Sequence, residues 1–204
     1  MKFQVSAKDK KTLCKQAPEF REVVRRIELD GFECNGDLFH ALVQSIISQQ
    51  LSIKAADTIY NRVEQLLGTI TAENLKSAAV EELRACGLSA RKIEYLRGIT
   101  DAVLSGRIDF DALARLPDEE IMKELVKLKG VGEWTAEMLL IFALGRPDVL
   151  SFKDLGIRRG IMLLNKLEKL TEEDFEVYRK RYSPYGTLAS LYLWRIKDGG
   201  LSVK

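Results

Sequence analysis

The stretch Leu128–Leu140 reads L-K-G-V-G-E-W-T-A-E-M-L-L, and its two glycines lie where one helix must end and the next begin. Gly130 and Gly132 flank one apolar residue, Val131. Because glycine lacks a Cβ, the chain can turn tightly here and bring its N–H groups close to an anion. A helix beginning near Glu133 would direct its unpaired N–H groups and the positive end of its dipole to the same point. The stretch predicts a phosphate-binding hairpin, although a plain connection between helices leaves the same short pattern.

Apolar residues recur at helical spacing along most of the chain, as in Leu38, Leu42 and Ile46, whereas alternating strand patterns are scarce. Residues that cap helices are also frequent. The predicted N-caps are Asp37, Ser52, Ser89, Asp154 and Thr171, and the predicted helix ends include Gly68, Gly106 and Gly145. These signals predict an all-α protein of roughly ten to twelve short helices, without a dividing linker or a tandem repeat.

Composition is that of an ordinary globular protein, since the 204 residues are 46% hydrophobic and 30% charged. Cys14, Cys34 and Cys86 are odd in number and far apart, which favours a reducing cytoplasm over a disulfide framework or a metal cluster. The N-terminus lacks a signal-peptide core, and no apolar run approaches the roughly 20 residues of a membrane span. The formal charge of +2 does not by itself indicate a nucleic-acid partner.

A candidate catalytic carboxylate lies in S-F-K-D-L-G-I-R-R-G, residues 151–160. Asp154 directly precedes a new helical segment, so capping alone would explain it. A helix N-terminus also stabilises a carboxylate anion, however, and such an anion can take part in catalysis. Lys153, Arg158 and Arg159 add positive charge where a phosphate backbone could lie, although a solvated helix face would have the same composition.

Aromatic and amide side chains in two other places are suited to a nucleic acid. Trp134, just after the hairpin, could stack on a base, as could Tyr185, although core packing explains either residue equally well. Between two predicted helices, Q-Q-L-S at residues 49–52 forms a tip that could enter a duplex and fill the gap left by a rotated nucleotide, or simply connect the helices. The predicted wedge residues are Gln50, Leu51 and Ser52.

Several other kinds of site lack support in the sequence. The single histidine, His40, lies inside a predicted helix, where we expect it to pack with its nitrogens satisfied rather than act as a base. There is no phosphate-binding G-x-x-x-x-G-K-[ST] loop, no metal-spaced His/Cys set and no G-x-S-x-G. Nucleotide hydrolysis, zinc chemistry and a serine nucleophile are therefore not indicated.

The glycine hairpin, the Asp154 segment and the upstream I-I-S-Q-Q-L-S together resemble the helix-hairpin-helix DNA glycosylase superfamily, from about Asp37 to Trp194. Within it, the chain is most similar to the alkylpurine branch of 3-methyladenine DNA glycosylase II type. The resemblance implies two interleaved helical lobes with a DNA-binding cleft between them, and a helix-hairpin-helix at about residues 126–140 where the lobes join. We expect a central lobe of residues 35–145, and a second lobe of residues 1–34 plus 146–204.

The same resemblance implies a role for each candidate residue. Asp154 would be the catalytic carboxylate of the second lobe. The base pocket would be lined by Trp134, Met138 and Tyr185. The phosphate-binding residues would be Gly130, Val131, Gly132, Thr135, Lys153, Arg158 and Arg159. A monovalent cation, Na⁺ or K⁺, could bind the carbonyls of Leu128 and Val131.

The activity implied by the resemblance is excision of alkylated purines, such as 3-methyladenine or 7-methylguanine, from double-stranded DNA. Bifunctional relatives carry a Schiff-base lysine in the hairpin helix, where this chain has Trp134, so we expect hydrolysis without lyase activity. No cysteine follows Cys86, so their C-terminal iron–sulfur loop is missing. We expect no required cofactor and no membrane partner. A non-catalytic DNA-binding module, with Asp154 only a cap, and an abasic-site lyase using Lys153 are the alternatives.

Assembly and location follow from the same resemblance as expectations. We expect a monomer. The protein would act in the cytoplasm, with the nucleoid, in a prokaryote, and in the nucleus in a eukaryote.

Overall fold

The structure is a computed structural model that describes residues 2–196. Within that range the chain forms thirteen α-helices and two strands of two residues each, so the all-α prediction is confirmed. There are slightly more helices than predicted because several have only four to six residues. The chain separates into a central unit, residues 35–139, and a terminal unit, whose described residues are 2–34 and 140–196.

The elements follow one another with short connections. The first seven are β1 (Lys2–Phe3), α1 (Ala7–Gln16), α2 (Phe20–Arg26), β2 (Phe32–Glu33), α3 (Leu38–Ser48), α4 (Ile53–Leu67) and α5 (Ala72–Ser77). The next four are α6 (Val80–Ala85), α7 (Ala90–Leu104), α8 (Phe110–Leu113) and α9 (Asp118–Leu125). The last four are α10 (Glu133–Phe142), α11 (Leu155–Asn165), α12 (Glu172–Tyr182) and α13 (Gly186–Arg195). The border at residue 139 falls inside α10, whereas the predicted lobe border at residue 145 follows the end of this helix.

Predicted caps mark the helix starts in both units. The side chains of Asp37, Ser52 and Ser89 each accept the backbone N–H of the third residue onward, as an N-cap does. Thr171 does the same at the start of α12, where Asp174 completes a capping box. Local side-chain chemistry therefore determines where these helices begin.

Helix α7 organises the central unit, because it contacts α3, α5 and α6. Its buried face includes Ile93, Leu96 and Ile99, each of which contributes about 1.5–3 kcal/mol when fully buried. The Arg97 guanidinium of α7 donates to three carbonyls at the C-terminal end of α5, and these carbonyls would otherwise lack partners. The Lys92 amine donates to a carbonyl near the end of α3 at 2.7 Å, and burial lowers the pKa of this side chain.

The terminal unit has its own core, in which α13 contacts α11 and α12. Phe20, Tyr182 and Tyr192 are fully buried there, and the Phe20 and Tyr182 rings meet edge to face at 5.0 Å. Burial raises the pKa of Tyr192 to about 12. Strands β1 and β2 pair antiparallel, a feature that the sequence did not predict because strands of two residues show no periodicity.

Candidate functional site

The glycine hairpin lies between the end of α9 and the start of α10 in the central unit. Gly130 has φ = +87°, and a Cβ at this position would lie 2.3 Å from the Tyr95 ring, so the turn requires glycine. Val131 is buried and its N–H donates to the Leu128 carbonyl at 3.1 Å. Neither the Gly130 N–H nor the Gly132 N–H donates a hydrogen bond to another residue in the range 2–196. The hairpin can therefore offer both of these N–H groups to an anion.

The first turn of α10 presents one large side chain outward. Trp134 is 44% exposed, whereas Thr135 is 6% exposed and Met138 is half-buried. A partly exposed indole beside a hairpin is suited to stacking on a planar ligand. Because the Thr135 side chain is buried, a phosphate contact from this residue would have to come from its backbone. The roles predicted for these three residues stay predictions.

The predicted wedge forms an exposed tip between α3 and α4. Gln50 has φ = +59°, a left-handed conformation that costs a non-glycine residue about 1–2 kcal/mol, and Leu51 is 38% exposed. The Gln49 amide donates to the Gly130 carbonyl at 2.8 Å, so the tip is tied to the hairpin. The Ser52 hydroxyl caps α4 by accepting the Ala55 N–H. The sequence analysis did not include Ile53 in this tip, although its side chain is 83% exposed. The sequence feature that could have identified it is an apolar residue directly after a capping serine.

The Asp154 carboxylate lies at the N-terminus of α11 in the terminal unit and is 9% exposed. Its Oδ1 atom accepts two hydrogen bonds, from the Ile157 N–H at 2.8 Å and from the Trp194 indole N–H at 3.0 Å. A hydrogen bond to a charged group contributes about 1.5–3 kcal/mol. Two donors on one oxygen therefore fix the orientation of the carboxylate. Asp154 is the N-cap that the sequence predicted, and its catalytic role stays a prediction.

Trp194 is held by a row of aromatic rings in the terminal unit. Its indole stacks on Phe142 with ring centres 5.8 Å apart, and Phe142 lies 5.3 Å from Phe32. Phe32 in turn stacks on Phe3 at 5.0 Å, across the β1–β2 pair. Sequence reasoning missed Trp194 as a partner of Asp154, because the two residues lie forty positions apart and no local pattern joins them.

Two glycines of α11 allow α13 to approach the carboxylate. A Cβ on Gly156 would lie 2.9 Å from Cδ1 of Trp194 and 3.0 Å from Oδ1 of Asp154. A Cβ on Gly160 would lie 2.6 Å from the Leu193 carbonyl oxygen. Because both glycines lack a side chain, they leave one face of α11 thin, and this face packs against α13.

The basic residues near Asp154 are arranged around one ring. The guanidinium of Arg158 lies 5.1 Å and the amine of Lys153 lies 5.9 Å from the centre of Phe152. Phe152 meets the buried Phe175 edge to face at 5.3 Å, so the ring has a fixed support. Arg159 is exposed on the same helix. The phosphate contacts predicted for these cations stay predictions, but two of the cations are already oriented by an aromatic surface.

Tyr185 lies in a different part of the terminal unit. It lines a cavity of about 130 Å³ together with Phe3, Pro147 and Leu188. Asp154 does not line this cavity. The structure therefore does not bring the two residues together there, and the assignment of Tyr185 to the base pocket stays a prediction.

His40 packs inside the central unit, as predicted. Its Nε2 atom shares a hydrogen bond with the Tyr60 hydroxyl, and the two rings meet edge to face at 5.7 Å. Burial raises the pKa of Tyr60. The expectation that both nitrogens are satisfied was wrong, because Nδ1 of His40 is buried without a hydrogen-bond partner among residues 2–196.

Two features are absent from the described part of the chain, a membrane-spanning helix and a cluster of metal ligands. No helix there is long and apolar enough to cross a membrane. No group of three or more His, Cys, Asp or Glu side chains in residues 2–196 could hold a metal ion.

Comparison with known families identifies the fold. Residues 43–184, which include the hairpin and Asp154, match the model of the HhH-GPD superfamily base excision DNA repair protein. The chain belongs to this family. The resemblance inferred from the hairpin, the carboxylate segment and the tip is therefore confirmed.

Individual members of the HhH-GPD superfamily are similar along most of their length. The chain is 40% identical over 162 residues to DNA-3-methyladenine glycosylase 1 of Schizosaccharomyces pombe, covering 77% of this chain and 71% of that protein. A crystal structure of DNA-3-methyladenine glycosidase from Bacillus halodurans matches with a TM-score of 0.83 and 38% identity, over 97% of this chain and 92% of the other. The 3-methyladenine DNA glycosylase of S. pombe in complex with abasic DNA matches with a TM-score of 0.79 and 34% identity, over 94% and 97%.

Proposed function

We propose that the protein is a monofunctional DNA glycosylase that excises alkylated purines from double-stranded DNA and leaves an abasic site. The observation that carries this proposal is the Asp154 carboxylate, whose Oδ1 is fixed by the Ile157 N–H and the Trp194 indole. Membership of the HhH-GPD superfamily and the similarity to 3-methyladenine glycosylases support the substrate class.

Residues of the central unit bind the DNA. The Gly130 and Gly132 N–H groups and the N-terminus of α10 bind a backbone phosphate, because unpaired donors and the helix dipole favour an anion there. Gln50 and Leu51 fill the gap that the extruded nucleotide leaves in the duplex. Trp134 stacks on the extruded base, and an alkylated, positively charged purine strengthens this contact through the π face of the indole.

Catalysis is the task of Asp154. The bond between C1′ and the purine nitrogen breaks, and its electron pair leaves with the base. A purine alkylated at N3 or N7 is already cationic, so it departs as a neutral base without a general acid. The carboxylate stabilises the oxocarbenium-like sugar, and water then adds to C1′ and gives its proton to Asp154 or to solvent.

We further propose that this chemistry needs no cofactor and that one chain is sufficient for it, in whichever compartment holds the genome. A monovalent cation fits the carbonyls of Leu128 and Val131, since carbonyl oxygens are hard ligands. The Val131 N–H already orients the Leu128 carbonyl at 3.1 Å. When bound, the cation would offset negative charge of a phosphate beside the hairpin.

The proposal is tested by release of free base from a methylated duplex. The wild type is expected to release 3-methyladenine or 7-methylguanine, and Asp154→Asn, which retains an N-cap, is expected to bind the duplex without releasing either base. Equal release by both proteins would contradict the role of Asp154. Borohydride treatment on abasic DNA is expected to trap no covalent imine; a trapped product that disappears in Lys153→Ala would indicate a lyase instead.

A further inference from the structure

The central unit carries an uneven distribution of charge. Its 105 residues include 12 Lys and Arg against 16 Asp and Glu, a formal charge of −4. A unit with this net charge repels a polyanion on average, so a local concentration of basic residues marks a place where it can attract DNA. Five of the twelve basic residues line one groove.

This groove, which we call the basic groove, has a volume of about 670 Å³. Its basic lining residues are Arg84, Arg97, Arg107, Lys127 and Lys129. Of the carboxylates in the described residues, two line the groove with them, Glu94 and Asp101. The groove lies along α7 and is open to solvent, so a ligand of the size of a nucleic-acid strand can reach it.

Neighbouring amines offset the two carboxylates of the basic groove. Lys129 lies 3.3 Å from Glu94, and Lys76, which does not line the groove, lies 2.6 Å from Asp101. Arg84 and Arg107 are exposed and form no ion pair with any residue in the range 2–196. Neither guanidinium group is therefore held in an ion pair, although Lys76 by its hydrogen bond and Arg107 by its nearby charge lower the pKa of the Asp101 carboxyl.

A second groove of the same unit has the opposite charge. Its volume is also about 670 Å³, and its charged lining residues are Asp37, Glu73, Asp109 and Asp111. No Lys or Arg among residues 2–196 lines it. Both grooves border α7, since Val103 lines the acidic one and Ala102 the basic one. This separation of charge favours a polyanion on one side of α7 and disfavours it on the other.

The basic groove is continuous with the phosphate-binding hairpin. Lys127 to Lys129 line the groove and lead directly into Gly130. Leu128 belongs to both, because it lines the groove and its carbonyl accepts the Val131 N–H. Lys127 and Lys129 are paired with Glu124 at 2.6 Å and Glu94 at 3.3 Å, but the groove lining as a whole is net basic. A strand whose phosphate is held by the hairpin amides therefore lies beside a groove of net positive charge.

We propose that the basic groove binds the sugar–phosphate backbone of the DNA beyond the phosphate held by the hairpin, with Arg84 and Arg107 as its principal contacts. The contact is independent of base sequence, because it depends on charge alone. It rests on the proposed function, since it lengthens the DNA footprint of the same enzyme.

The test compares two double variants that remove equal charge from the central unit. Arg84→Gln with Arg107→Gln alters the basic groove, whereas Arg115→Gln with Lys123→Gln alters exposed residues outside it. Affinity for an uncleavable abasic duplex is measured against salt concentration. Each lost phosphate contact lowers the slope of log affinity against log salt by about 0.9, so the groove variant is expected to lose about 2. The control is expected to match the wild type, and both should melt like it.

Duplex length provides the second arm. Shortening the duplex step by step from each end is expected to reach a length at which the groove variant and the wild type bind equally. Equal salt slopes for the groove variant and its control would contradict DNA binding by the groove. A lower affinity of the groove variant that persists at every duplex length would contradict it as well. Base release tests the proposed function separately. If the wild type releases base and the groove variant behaves like the control, only the proposal for the basic groove is contradicted. If the wild type releases no base but its salt slope still exceeds that of the groove variant, only the glycosylase proposal is contradicted.

Discussion

The hairpin of the central unit is built from consecutive residues, whereas the carboxylate site of the terminal unit collects its parts from three helices. Leu128 to Gly132 form a complete turn by themselves, apart from the Gln49 amide and the Tyr95 ring that fix it. Asp154 on α11 depends on Trp194 of α13, which in turn rests on Phe142 of α10. Backbone N–H groups can bind a phosphate from a short segment, but an oriented carboxylate needs tertiary support.

The comparison predicts that the two hairpin glycines fail in different ways. Gly130→Ala meets the Tyr95 ring and an unfavourable φ, so we expect it to lower the free energy of unfolding by about 2–4 kcal/mol. Gly132→Ala meets no atom within 4 Å, so its stability should stay close to the wild type while its methyl group hinders the approach of a phosphate. Urea unfolding and duplex binding measure the two effects, and equal stability of both variants would contradict this description of the turn.

Removing the indole donor should loosen the carboxylate site without changing the hairpin. Trp194→Phe keeps an aromatic ring over Phe142 but deletes the hydrogen bond to Asp154, at a cost of about 1.5–3 kcal/mol in stability. Because the carboxylate is then less well placed, single-turnover base release should fall about 10-fold to 100-fold, with duplex affinity unchanged. A parallel loss of affinity would mean that Trp194 serves binding instead of orientation.

Filling the thin face of α11 should have a similar but smaller effect. Gly156→Ala places a methyl group 2.9 Å from the Trp194 ring and 3.0 Å from Asp154, so we expect a loss of about 1–3 kcal/mol in stability together with slower base release. Gly98→Ala on α7 is the matched control, because its methyl group meets nothing within 4 Å and should stabilise the helix by about 0.4–1 kcal/mol. If thermal melting showed that both variants are stabilised, the close approach of α13 to Gly156 would be contradicted.

The smallest effect is expected at the ring that orients the cations. Phe152→Leu keeps an apolar side chain near Phe175 but removes the π face under Arg158 and Lys153, an interaction of about 0.5–1 kcal/mol. If these cations contact phosphate, duplex affinity should fall about 2-fold to 5-fold, by conversion of that energy. Unchanged affinity at low salt would remove Phe152 from the account of binding.

The sequence predicted the parts that depend on neighbouring residues. The N-caps at Asp37, Ser52, Ser89, Asp154 and Thr171, the hairpin and the start of α10 near Glu133 all follow from local side-chain chemistry. It did not predict the β1–β2 pair, Trp194 or the basic groove. Each of these joins residues that are distant in the chain, and one sequence holds no local pattern for such contacts.

The central claim is that the hairpin binds DNA and Asp154 performs the chemistry. It is tested most directly by measuring, for Asp154→Asn and Gly132→Ala, both duplex affinity and the single-turnover rate of base release at saturating enzyme. We expect Asp154→Asn to lose at least about 100-fold in rate with affinity unchanged, and Gly132→Ala to lose affinity while it keeps most of its rate once DNA is bound. An Asp154→Asn variant that releases base at the wild-type rate, or variants that lose rate and affinity together, would contradict the claim.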